Sequence, residues 1–143
     1  GALLAGLAFS NASVALVHGM SRPLGAHFHV PHGLSNAMLL PAVTAYSLPD
    51  ALPRYAEAAR IMGVAGPEEG NQAAAARLVE ALRELNHDLA VPSPAAWGIE
   101  AERWNALLPL MAEQALASGS PANNPRVPEK EEIIGLYREV YGD

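Results

Sequence analysis

The sequence predicts an all-α domain, and three observations carry that prediction. Alanine and leucine dominate while valine, isoleucine and threonine are sparse, so helix propensity wins over strand propensity almost everywhere. Apolar residues recur at spacings of three and four, and alternating runs are hard to find. Glycine and proline, twelve of each, fall in clusters that divide the chain into roughly six or seven helices.

Taken in order, the opening "GALLAGLAF" is apolar, rich in Gly and Ala and without a capping residue. It reads as a buried helix that has been cut, and the chain as a fragment of something larger. Ser10 is a candidate N-cap for the next helix, whose apolar positions Val14, Leu16, Val17, Met20 and Leu24 keep helical spacing up to the region of Pro23. A Gly/His/Pro loop is expected to follow. His32 to about Leu48 makes another helix, with Leu34, Met38, Leu39 and Val43 on one side. Pro49 to Gly63 makes a third, closed by a glycine suited to a C-terminal cap.

Glu68 to Asp88 is the clearest amphipathic segment: Ala75, Leu78, Val79, Leu82 and Leu85 form the stripe, and Arg77, Glu80, Arg83 and Glu84 the wet face. The proline-rich "AVPSPAAWG" connects it to a helix from Glu100 to about Ser118, and "SGSPANNPRVP" is an irregular crossing. The last helix begins near Pro128, with Glu129, Glu131 and Glu132 where acidic side chains favour the helix dipole.

Length and charge narrow the function. With 143 residues, half of them hydrophobic, the chain suffices for one domain with a real core. A formal charge of -6, with 9 Lys and Arg spread along the chain, argues against a nucleic-acid partner, because phosphate binding needs clustered cations. No run approaches the ~18 apolar residues of a membrane span, and the first residues lack the basic flank of a secretory signal, so no membrane partner is expected. The absence of cysteine removes disulfides, thiolate metal sites and Cys nucleophiles together, which fits a cytoplasmic protein.

The chemistry concentrates in the histidines. Four of the five lie between His18 and His32, among Gly19, Pro23, Gly25, Pro31 and Gly33. His18 and His32 are fourteen positions apart, too far for a site on one helix, so they meet only if the intervening turn folds back. Neutral imidazole suits zinc and iron, yet two histidines leave a four-coordinate site incomplete and no HExxH motif supplies the rest. A structural or surface role for the pair therefore stays open at this point. His27 and His29 fall in the expected loop as surface side chains or substrate contacts, and His87 suits a helix C-terminus. No phosphate-cradling glycine pattern and no GxSxG elbow is present. Trp97 and Trp104 read as core or interface aromatics.

The segment "GLAFSNASVALVHGMSRPLGAHFHVPHGLSNAMLLP" resembles the signature region of iron-containing (group III) alcohol dehydrogenases, A-F-S-N, H-G-M, P-L-G-A and P-H-G-x-x-N-A-x-L-L-P, nearly without gaps across residues 5 to 41. "RYAEAARIMG" and "NNPRVPEKEEIIGLYREVY" are similar to later parts of the same family.

The resemblance implies an architecture like that of dehydroquinate synthase and glycerol dehydrogenase. An N-terminal nucleotide-binding domain holds NAD or NADP, and a helical C-terminal domain, here residues 1 to 143, holds part of a divalent metal site for iron(II) or zinc. The family's ligands are one Asp and three His. By motif, His18 and His32 are two of them, and the others are expected upstream of Gly1. Phe9 would line the substrate pocket. Arg22 stands where many members carry a His near the nicotinamide, and since arginine does not deprotonate at working pH it would orient a carboxylate or the cofactor, with His29 or His27 as the titratable substitute.

The implied reaction is hydride transfer between a small alcohol or aldehyde and NAD(P), with the metal as Lewis acid. The implied partners are the chain's own N-terminal domain and further copies in a homo-oligomer, and this piece alone would be inactive. Alternatives are a glycerol dehydrogenase or maleylacetate reductase relative, or a helical interaction module with structural histidines.

Overall fold

The computed structural model describes residues 1–142, and among them every regular element is helical. The helices are α1 (Ala2–Ala12), α2 (Leu16–Phe28), α3 (His32–Ile61), α4 (Asn71–Asp88), α5 (Ala101–Ala117) and α6 (Lys130–Tyr141), with a 3-10 turn at Ser120–Asn123 before α6.

Helix α2 is the axle. Leu16, Met20 and Leu24, one turn apart on one face, are fully buried. They join Trp104, Leu108, Met111 and Ala115 of α5, Leu39 and Val43 of α3, and Ile133 and Tyr137 of α6 in a single core. Each fully buried leucine contributes about 1.5–3 kcal/mol relative to exposure. Trp104 is the hub: its ring lies 5.6 Å from Phe28, 5.7 Å from Tyr137 and 5.3 Å from Tyr141. The Tyr137 hydroxyl donates to the Met20 carbonyl at 2.7 Å, tying α6 to the middle of α2.

A second, smaller core joins the far half of α3 to α4 through Ala56, Ala59, Ala74, Ala75 and Leu78. The expected boundary at Pro49 falls within two residues of a break in α3: its two helical halves meet at the non-helical Ala51 (φ -143, ψ 31), between Pro49 and Pro53, each of which lacks the amide proton the helix ladder needs. The expected glycine cap holds: Gly63 (φ 74) donates to Arg60 and Val64 to Ala59 in the paired pattern of a Schellman motif.

Several expectations are corrected. Ser10 does not start a helix; it lies in the last turns of α1, which ends at Ala12, and the next helix begins at Leu16 after a bend of 96°. The Gly/His/Pro loop is shorter than expected, because α2 runs through Pro23 to Phe28 and places His27 in its last turn. The segment read as a buried helix has no buried residue: Leu3 is 76% and Leu4 70% exposed. Its apolar content, the cue for burial, has no partner surface among the described residues. Leu85, assigned to the apolar stripe of α4, is likewise exposed, although α4 still meets α3 one residue further on, where Asn86 Nδ2 donates to the Ala37 carbonyl at 2.7 Å. No single helix among the described residues is long and apolar enough to cross a membrane.

Candidate metal and substrate site

The turn between α2 and α3 does fold back. His29 closes α2 in the left-handed conformation (φ 57, ψ 27), its N–H donating to the Gly25 carbonyl at 3.1 Å, and Pro31 sets the entry to α3. Asn and His tolerate this region better than most side chains, which explains a histidine where glycine is usual. The reversal lays the start of α3 beside the start of α2. His18 and His32 end with ring centroids 5.2 Å apart and planes at 62°.

The surroundings of the pair are specific. Ser21 Oγ lies 3.1 Å from the His18 carbonyl and 3.3 Å from His32 Nδ1. Asn36 Nδ2 lies 3.2 Å from His32 Nε2. Partial burial lowers the His18 pKa from its ordinary value, and the facing His32 and the Arg22 guanidinium lower it further. All three disfavour the imidazolium and leave His18 in the neutral, metal-ligating form at physiological pH.

His18 also lines a cleft of about 670 Å³, walled mainly by apolar side chains including Phe9, Val14, Val17, Ala37 and Leu40. Phe9 reaches it from the end of α1, and Asn36 from α3. Arg22 stands one turn beyond His18 on α2, exposed and close enough to act on its charge.

His29 is not brought to this cleft. It lines a separate small pocket with His27, Trp97 and Arg103, on the side where His27 Nε2 meets Gln114 Oε1 at 2.8 Å and Arg103 donates to the His27 carbonyl. His87 is exposed near the end of α4, beside Asp88. Of the two tryptophans, Trp104 is core and Trp97 is 43% exposed.

Two side chains that touch His32 escaped the reading of the sequence. Asn36 was legible, since i and i+4 on a helix are neighbours. Ser21 was not, because its contact with His32 crosses between helices.

A close-packed seat holds His18 in place from behind. A Cβ on Gly19 would lie 3.0 Å from two ring carbons of Pro121 and 3.4 Å from the Ala115 carbonyl, so only glycine lets the 3-10 turn and α5 come this near to α2. That turn is itself anchored, through Asn123 Nδ2 to the Val14 carbonyl and Asn124 Nδ2 to Ser47 Oγ.

Two imidazoles fit half of a four-coordinate set for iron(II) or zinc. Among the described residues no group of three or more His, Cys, Asp or Glu could hold a metal ion.

Fold and site together define a helical domain with a histidine pair, one member of which, His18, lines an apolar cleft. The chain belongs to the Fe-containing alcohol dehydrogenase family, whose C-terminal model matches residues 1–141. It is 36% identical over 141 residues to lactaldehyde reductase of Escherichia coli (strain K12), covering 99% of this chain and 36% of that protein. It is 34% identical over 139 residues to the NADPH-dependent butanol dehydrogenase of Clostridium saccharobutylicum, covering 96% and 35%. The fold superposes on the crystal structure of a 1,3-propanediol oxidoreductase with a TM-score of 0.89 at 34% identity, over 96% of this chain and 35% of that one. For an alcohol dehydrogenase from Oenococcus oeni the TM-score is 0.87 at 37% identity, with coverage of 96% and 35%. The chain thus spans about a third of the length of the curated relatives it matches.

Proposed function

We propose that this chain is the helical, ligand-bearing part of a metal-dependent dehydrogenase that moves a hydride between a small alcohol or aldehyde and NAD or NADP. One observation carries the reading: His18 and His32 converge within 5.2 Å, and His18 opens on an apolar cleft that Phe9 helps to wall. His18 and His32 would hold iron(II) or zinc, with the remaining ligands supplied from outside the described residues. The ion, when bound, supplies Lewis acidity toward the alcohol or aldehyde oxygen.

The chain's own residues do the rest. The apolar walls desolvate a short carbon chain and exclude competing water. Phe9 limits substrate size at the mouth. Arg22 orients an anionic group, on the cofactor or a carboxylate, at a position where it cannot relay protons. The exposed apolar residues of α1, Leu3, Leu4 and Leu7, serve as a docking face for the nucleotide-binding domain. The names of the relatives, which act on lactaldehyde, butanol and propanediol, support a small alcohol or its aldehyde as substrate.

The test is metal titration and turnover of the full-length protein with His18→Ala and His32→Ala. Both variants should lose stoichiometric metal and activity together. Full metal content and normal turnover in both would overturn the assignment.

A further inference from the structure

Ser21 is 1% exposed and carries a single hydroxyl proton between two acceptor-capable groups. One is the His18 carbonyl, which can only accept, at 3.1 Å. The proton therefore goes to that carbonyl, and Ser21 Oγ is left as an acceptor toward His32 Nδ1, 3.3 Å away and at the long end of hydrogen bonding. That geometry calls for the His32 tautomer with its proton on Nδ1 and a bare lone pair on Nε2.

The opposite edge of the ring makes the same demand. Asn36 Nδ2, 3.2 Å from Nε2, can only donate, so Nε2 must be unprotonated there too. Neighbours on two different helices thus select one tautomer. Asn36 is only lightly committed, since its Oδ1 is buried without a partner, and the amide can give up the Nε2 lone pair to a competing Lewis acid.

We propose that Ser21 is a positioning residue for the metal site: its hydroxyl ties the backbone of His18 to the ring of His32 and locks His32 in the tautomer whose Nε2 is free to ligate. The inference rests on the metal reading of the histidine pair. Ligating histidines generally owe their tautomer and ring orientation to a partner on the other nitrogen, and loss of that partner typically weakens metal binding 10- to 100-fold. A hydroxyl in this role accepts without adding charge, so it orients His32 without raising the negative charge of the site.

The experiment uses the full-length protein with Ser21→Ala, Ser21→Thr and His32→Ala, and reads two quantities. The first is Zn2+ affinity by competition with a chromophoric chelator. The second is the long-range 1H–15N spectrum of the metal-free protein labelled at histidine, with His32 assigned by its loss in His32→Ala.

Ser21→Ala should weaken Zn2+ binding about 10- to 100-fold and convert the His32 signature from pure Nδ1–H to a mixture. Ser21→Thr, which keeps the hydroxyl, should hold both near the parent. Parent-like affinity and an unchanged Nδ1–H signature in Ser21→Ala would overturn the proposal. Should the added methyl of Ser21→Thr prevent folding, the tautomer signature of Ser21→Ala decides alone. Unchanged Zn2+ affinity in His32→Ala would instead overturn the metal reading, and the comparison of the parent and Ser21→Ala spectra would still report whether Ser21 sets the tautomer.

Discussion

His18 and His32 face one another edge to plane, 5.2 Å between ring centroids, although they stand fourteen positions apart in the chain. What brings them together is a helix reversal that His29 makes in the left-handed conformation (φ 57). A non-glycine residue there costs about 1–2 kcal/mol, which glycine avoids at an entropic cost of about 0.5–1 kcal/mol. His29→Gly should therefore raise stability by about 0.5–1 kcal/mol and leave kcat unchanged, since the side chain is exposed and lines a different pocket. Chemical denaturation and steady-state kinetics check both halves. A collapse of kcat with intact fold would return His29 to the catalytic machinery.

Gly19 tests the seat beneath His18. Gly19→Ala places a Cβ 3.0 Å from the Pro121 ring. Either the 3-10 turn or α2 must move, at a cost of about 1–3 kcal/mol for overpacking. The thermal midpoint should fall and Zn2+ affinity with it, whereas a parent-like midpoint would mean that Pro121 gives way freely.

Trp104 holds the far end of the fold. Its indole is 1% exposed and touches aromatic rings from α2 and α6. Trp104→Ala should cost about 3–5 kcal/mol, read as a loss of denaturation free energy. Trp104→Phe should cost far less than that, because the buried indole N–H has no partner to lose.

Glu132 carries the acid sensitivity of the C-terminal segment. Its carboxylate is held below the ordinary carboxylate value, first by the Glu129 backbone N–H at 2.9 Å, then by the Tyr46 hydroxyl at 2.8 Å, with Arg126 adding an ion pair. Burial, and after it the same contact, pushes the Tyr46 phenol up to about 12. Because the folded state prefers the ionised carboxylate, its contribution is fully present above 4.5 and is lost as pH falls from there through the lowered value. Glu132→Gln should be less stable than the parent at neutral pH, and the gap should close as pH drops below 4.5. Parallel curves of thermal midpoint against pH would show that the shift carries no stability.

Phe9 probes the cleft without touching the core, being 58% exposed. In the full-length protein Phe9→Ala should leave the thermal midpoint in place and lower the KM for longer primary alcohols relative to ethanol several-fold, as the mouth widens. Unaltered chain-length preference would remove Phe9 from the substrate pocket.

The helical class and most of the element positions were legible in the residues alone, and so were His18 and His32 as candidates for one site. Local propensity and the three-to-four periodicity act over a turn or two, and so they can be read without knowing what packs on what. Glu100 as the start of α5 and Gly63 as the cap after α3 were visible for that reason. Tertiary structure decided the rest. Whether α1 is buried depends on what covers it. The meeting of Ser21 with His32 depends on how sharply the chain reverses at His29, because contacts between helices are set by backbone geometry that no periodicity encodes.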